Sequence, residues 1–140
     1  MPLSNFLDAN VWMALLWERH AHFDKARQWF DHADEDLLFC RFTQLAILRL
    51  LTTKSVMRED TRSMAGAWEA WDRIAADTRV AFIAEPDALP DGFRRRSKLP
   101  SRSPKVWADA YLLAFASAAG LRLVTFDRSL PSRDADVLVL

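Results

Sequence analysis

Apolar residues in this chain change period as they go, from short contiguous blocks to spacings of three and four, and the alternation predicts a fold class. A block over residues 4–7 predicts a first strand, and Asn10-Val11-Trp12-Met13 opens a helix over 10–17. Phe23, Ala26, Phe30 and Ala33 recur at helical spacing and predict a second helix over 22–33. Residues 37–40 predict a short strand. Thr43 is expected to cap a helix over 44–51 that turns Leu45, Leu48 and Leu51 inward. Thr61 is expected to cap a longer helix, reaching residue 76, that carries Met64, Ala67, Trp68, Trp71 and Ala75. Residues 80–83 predict a strand, 85–92 a turn-rich connection and 91–98 a short helix. Ser103 as N-cap with Pro104 behind it announces a helix that runs to residue 119 and stops at Gly120. Strands over 121–125 and 137–140 complete the set.

Strands alternating with helices predict an α/β fold whose mainly parallel sheet is covered on both faces. The 140 residues suit a single domain spanning 1–140, long enough to bury a core without disulfides. Only three glycines occur, scattered, which excludes a phosphate-cradling or dinucleotide-binding glycine loop. Formal net charge is zero, so any affinity for nucleic acid must come from a local patch or a metal. Cys40 is the sole cysteine, which rules out an intrachain disulfide and predicts a small buried apolar residue. The N-terminus lacks the basic stretch of a signal peptide and no apolar run approaches ~20 residues. A cytoplasmic protein without a membrane span is therefore expected.

The candidate chemistry lies in three aspartates. Asp8 follows the first strand, Asp127 follows the strand over 121–125, and Asp109 lies in the second turn of the helix after Pro104. Carboxylates at the C-terminal edge of a parallel sheet face the crevice where such folds bind ligands. Gathered carboxylates repel one another unless a cation sits among them, and hard oxygen ligands suit Mg²⁺ or Mn²⁺. Metal-assisted chemistry on a phosphate group follows. Each residue also has a plainer role open to it: helix capping for Asp8, a solvated helix edge for Asp109, a turn before Arg128 and Ser129 for Asp127. His20, His22 and His32 lack the spacing of a metal or ribonuclease motif and are expected at the surface.

These residues carry a family resemblance. Leu7-Asp8-Ala9-Asn10-Val11 resembles the opening motif of PIN-domain nucleases, the segment from Thr43 to Thr52 their second, Trp107-Ala108-Asp109-Ala110-Tyr111 their third and Leu123-Val124-Thr125-Phe126-Asp127-Arg128 their fourth. Within that family the chain is most similar to VapC-type toxins of bacterial toxin–antitoxin systems. The resemblance implies a three-layer α/β/α domain and an Mg²⁺- or Mn²⁺-dependent endoribonuclease. Asp8, Asp109 and Asp127 would match the metal-binding acids, and Asn10 and Thr125 the polar positions beside them. Gln44 stands where the family more often has glutamate; it offers a carbonyl oxygen but no charge, which weakens above all a second metal site. A second copy of the chain and an antitoxin are the implied protein partners. In-line attack by water would leave a 5′-phosphate and a 3′-hydroxyl.

Six basic residues and no acid lie between Arg94 and Lys105, just before the Asp109 helix. They suit an RNA backbone, or equally a solvated loop that offsets the acidic stretch 31–36. Of the six tryptophans, Trp12, Trp68, Trp71 and Trp107 fall within predicted helices and are expected in core or interface. A rival reading is a catalytically weak or inactive PIN-like module that binds RNA or protein, with Gln44 marking loss of the site. A phosphoacceptor receiver is disfavoured because Asp8 stands alone and the strand over 80–83 ends without an aspartate. A haloacid-dehalogenase-like phosphatase is disfavoured because Asn10, not an aspartate, lies two residues after Asp8.

Overall fold

The computed structural model describes residues 3–130 and 135–140. Its elements run β1 (Asn5–Leu7), α1 (Ala9–Leu16), α2 (Phe23–His32), β2 (Leu37–Phe39), α3 (Arg41–Leu51), α4 (Lys54–Met57), a 3₁₀ turn (Arg58–Asp60), α5 (Met64–Ala75), β3 (Val80–Phe82), α6 (Leu89–Ser97), α7 (Lys105–Ala119), β4 (Arg122–Thr125) and β5 (Asp136–Val139). The sheet has five strands in the order β3-β2-β1-β4-β5, and every pairing is parallel. β1 is central: Phe6 is in register with Leu38 on one side and Leu123 on the other.

Alternation along each strand divides the core into two layers. Leu7, Leu37, Phe39 and Val124 point to the face covered by α1, α2, α3 and α5, where Trp12, Phe30, Ile47, Leu51 and Trp71 pack. Phe6 and Leu123 point the opposite way, against Leu112, Phe115 and Ala116 of α7 and Leu89 of α6. Phe6 and Phe115 stack with ring centroids 4.5 Å apart. The result is the three-layer α/β/α arrangement with a parallel sheet. Burial on both faces explains why the strands read as contiguous apolar blocks rather than as alternating ones.

Local signals placed most elements within a few residues, and the departures have physical reasons. Helix α3 begins two residues before Thr43, with Cys40 at its N-cap. The Thr43 hydroxyl accepts from the Cys40 N–H (3.1 Å) and donates to the Cys40 carbonyl (3.0 Å), so it closes the turn from inside the helix. The inward face is accordingly Thr43, Gln44, Ile47 and Leu51, and Leu45 is 55% exposed instead of buried. Ser63, not Thr61, caps α5, its hydroxyl accepting from the Gly66 N–H at 3.0 Å. Ala67, Ala70, Trp71 and Ile74 then face the core, whereas Met64 and Trp68 face out. Pro104 itself holds the N-cap position of α7, and the Ser103 side chain does not cap it. The helix ends as expected at Gly120, whose φ of 67° is the left-handed conformation glycine tolerates best. Trp12 and Trp71 are buried edge-on to each other, but Trp107 is exposed. Cys40 is buried, as expected. Among the described residues no helix is long and apolar enough to cross a membrane.

Candidate functional site

The chain leaves β1 toward β2 and β3, whereas β4 and β5 lie on its other side. The C-terminal edge of the β1–β4 pair is thus the point where strand order reverses and a crevice opens. Asp8 sits at that edge. Its N–H donates to the Val124 carbonyl (2.9 Å), extending the β1–β4 ladder past Leu7, and its own carbonyl accepts from Val11 (3.0 Å) at the start of α1. Asp8 holds the N-cap position of α1, but its carboxylate makes no capping bond.

That carboxylate belongs instead to a tertiary network. The Thr125 hydroxyl, fully buried, donates to Asp8 Oδ2 at 2.9 Å. Thr125 Oγ1 itself accepts from Asn10 Nδ2 (3.3 Å) and from the Asp127 N–H (3.0 Å). Asn10 Oδ1 in turn accepts from the Phe126 N–H at 3.3 Å. One hydroxyl therefore fixes the first strand's acid to the turn that carries Asp127. Loss of water on burial pushes the Asp8 carboxyl up from the usual range, more than the Thr125 hydroxyl and the Ala9 N–H pull it down. The charges of Asp109 and Asp127 push it further up, because all three carboxylates share one field.

The outer half of the site is built differently. Asp127 closes a turn in which its Oδ1 accepts from the Ser129 N–H (2.9 Å) and hydroxyl (2.6 Å). The turn role and the place beside the other acids coexist. Lys105, one helical turn before Asp109 on α7, sends its ammonium to Asp109 Oδ2 (2.8 Å) and Asp127 Oδ2 (2.5 Å). This ammonium holds the Asp127 carboxyl down at about 2, with the Ser129 hydroxyl and N–H adding to the effect. Lys105 itself is raised above its usual value, first by Asp109 and then by Asp127, so it stays charged.

The structure thus links Asp8, Asn10, Asp109, Thr125 and Asp127, and Gln44 has its side-chain partner elsewhere. Gln44 is buried in α3, and its side-chain carbonyl accepts from Arg41 Nη1. Sequence reasoning placed Lys105 in the basic segment and Ser129 in the turn after Asp127, but neither as a partner of the acids. The i,i+4 spacing of Lys105 and Asp109 on a helix, and the Asp-x-Ser turn signature, are the signals that point to them. Among the described residues no three His, Cys, Asp or Glu side chains form a ready-made metal cage. The donor set still fits a hard divalent cation: three carboxylates share one field, and two of them already draw an ammonium between them as a stand-in.

A family model of the PIN domain matches residues 6–135, and the chain belongs to that family. Ribonuclease VapC41 of Mycobacterium tuberculosis is 41% identical over 126 residues, covering 86% of each chain. Among solved structures, M. tuberculosis VapC20, described as a sarcin-ricin loop cleaving toxin, superposes with a TM-score of 0.69 at 19% identity, covering 91% of this chain and 92% of that one. VapBC2 of Rickettsia felis, solved with a DNA fragment from their promoter, gives 0.62 at 7% identity over 99% of both chains. These structural likenesses concern the fold.

Proposed function

We propose that the chain is an endoribonuclease, the toxin of a type II toxin–antitoxin pair, and that it hydrolyses RNA phosphodiester bonds with Mg²⁺ or Mn²⁺. The observation that carries this reading is the meeting of Asp8, Asp109 and Asp127 at the β1–β4 edge of a PIN-domain fold, strung on one buried hydroxyl and bridged by one ammonium. Identity to a named VapC ribonuclease over most of the chain supports the activity.

Asp8, Asp109 and Asp127 would hold the metal. When bound, it supplies an activated water and polarises a phosphoryl oxygen. Thr125 and Asn10 fix the orientation of the Asp8 carboxylate before RNA arrives, which is the role of outer partners at metal sites. No histidine is required as base. Gln44 adds no charge, which favours a single main metal. Hydrolysis leaves a 5′-phosphate and a 3′-hydroxyl. Arg94, Arg95, Lys98 and Arg102, all exposed ahead of α7, are placed to meet the RNA backbone.

Two protein partners belong to the same reading. A cleft of about 1020 Å³ at the far end of α1 has Leu15, Leu16, Phe23 and Ile74 along it, with Arg62 and Arg73 and the Arg19–Asp60 ion pair among its lining; it suits an amphipathic antitoxin segment. On the opposite side Phe42 (42% exposed) packs on Tyr111, and Trp107 (61% exposed) packs on Phe93, an apolar surface that suits a second copy. A homodimer is the expected state, and sedimentation velocity as a monomer at micromolar concentration would remove it. A toxin of this kind meets its RNA in the cytoplasm.

The test is cleavage of total cellular RNA by purified, antitoxin-free protein with Mg²⁺ or Mn²⁺ and with EDTA, beside an Asp8→Ala control. Discrete fragments that require metal and vanish in the control support the proposal. A folded, metal-loaded sample that cuts nothing returns the chain to an RNA- or protein-binding module.

A further inference from the structure

Lys105 bridges the acid cluster but has no chemical role in the reading above. Its ammonium lies 2.8 Å from Asp109 Oδ2, 2.5 Å from Asp127 Oδ2 and 3.4 Å from Ser129 Oγ. Asp109 reaches it from one helical turn away on α7, whereas Asp127 and Ser129 come from the turn after β4, so its place is a tertiary one. A cation that bridges those two carboxylates needs the same space, because Mg²⁺ sits ~2.1 Å from each ligand oxygen. Ammonium and metal cannot both be there.

We propose that Lys105 is a tethered counter-cation that occupies the metal position between Asp109 and Asp127 in the metal-free protein and is displaced when a divalent cation binds. The inference rests on the metal reading given above. Three carboxylates without a cation repel one another, and the lysine relieves two of them while the metal is away. Its side chain is 57% exposed, so the four-carbon stem has open solvent to swing into. Asp8, whose partner is Thr125, is not among the lysine's contacts. Metal entry is then a competition, and apparent affinity is the intrinsic affinity reduced by the fraction of molecules in which the lysine is in place.

The experiment is calorimetric titration of the purified chain with Mn²⁺ alone, without RNA, for wild type, Lys105→Met, Lys105→Arg and Arg128→Gln. Lys105→Met is expected to bind Mn²⁺ about three- to tenfold tighter than wild type, the range set by a solvent-facing ion pair made to two carboxylates. Its metal-free form is expected to melt lower, and Mn²⁺ to raise its melting temperature by more than it raises that of wild type. Lys105→Arg keeps the charge and is expected to stay near wild type. Arg128→Gln removes a neighbouring exposed charge and is expected to change affinity less than Lys105→Met does. Unchanged or weaker binding by Lys105→Met, or an equal gain in Arg128→Gln, overturns the displacement. Should Lys105→Met fail to fold, Lys105→Gln serves in its place. Absence of Mn²⁺ binding by both wild type and the Lys105 variant at millimolar metal overturns the metal reading, and the displacement with it, whereas binding with an unchanged constant overturns the displacement alone.

Discussion

Asp8 and Asp127 lie at the same edge of the same sheet, share one hydroxyl through Thr125, and are driven in opposite directions. Asp8 is half-buried with neutral partners, and loss of water raises its carboxyl. Asp127 is met by the Lys105 ammonium and the Ser129 hydroxyl, which hold it at about 2. Residue type does not set the proton affinity of a carboxylate; the charge and water around it do. The inner half of the site is a rigid anchor built from strand ends. The outer half is an ion pair on a flexible stem that a stronger cation can reorganise.

The largest effect expected from breaking this contrast is on catalysis. Asp8→Ala should lower metal-dependent RNA cleavage by more than the 10- to 100-fold typical of losing an outer partner at a metal site, with the far-ultraviolet spectrum unchanged. Retention of full activity would mean that the inner anchor is not part of the chemistry.

Thr125→Val tests the anchor without touching an acid. It leaves Asp8 Oδ2, the Asp127 N–H and the Asn10 amide each short of one bond. A loss of about 1–3 kcal/mol in stability by urea denaturation is expected, together with Mn²⁺ affinity about 10- to 100-fold weaker. A variant that binds metal as tightly as wild type would show that Asp8 needs no orientation.

The opposite shifts should also appear in stability without metal. The native Asp8 carboxyl holds its proton to higher pH than in the unfolded chain, so its contribution to stability falls as pH rises through that window. The native Asp127 carboxyl releases its proton earlier, so its contribution is complete above the ordinary carboxylate range near about 4 and is lost as pH falls toward about 2. At neutral pH, Asp8→Asn is therefore expected to raise the metal-free melting temperature and Asp127→Asn to lower it, the latter through a loss of at most about 1 kcal/mol of stability because the pair faces solvent. Melting curves from pH 3 to 8 in EDTA, about the span over which carboxylates titrate, check both signs. Two shifts in the same direction would erase the contrast.

The smallest effect is expected at Gln44→Glu. Arg41 already donates to the Gln44 carbonyl, and the new carboxylate would be met by that guanidinium instead of standing free beside the acids. A gain in Mn²⁺ affinity below about fivefold is expected by titration. A larger gain would place position 44 inside the metal's field.

Much of this was legible in the linear pattern. The order of strands and helices, the stop at Gly120 and the positions of Asp8 and Asp127 just past strand ends follow from local rules, since periodicity and turn residues act over a few positions. The register of α3 was misread because Leu45 and Gln44 lie only one residue apart, about 100° on a helix, and a capping bond inside the turn decided which faced the core. Met64 and Trp68 lie on the outer side of α5, where the spacing of Ala67, Ala70, Trp71 and Ile74 leaves them, so of the two tryptophans on this helix only Trp71 enters the core. Gln44 matched a motif position but spends its carbonyl on Arg41, a partner on the same helix that motif matching does not weigh.

From its sequence alone, the protein has an α/β fold with three aspartates at element ends, because strand blocks, helical spacing and helix stops are encoded within a few neighbouring residues. Strand order, the Thr125–Asp8 bond across 117 positions and the Lys105 bridge to Asp127 across 22 were decided only by the tertiary structure. Such contacts depend on which strands lie side by side, and no local pattern carries that information.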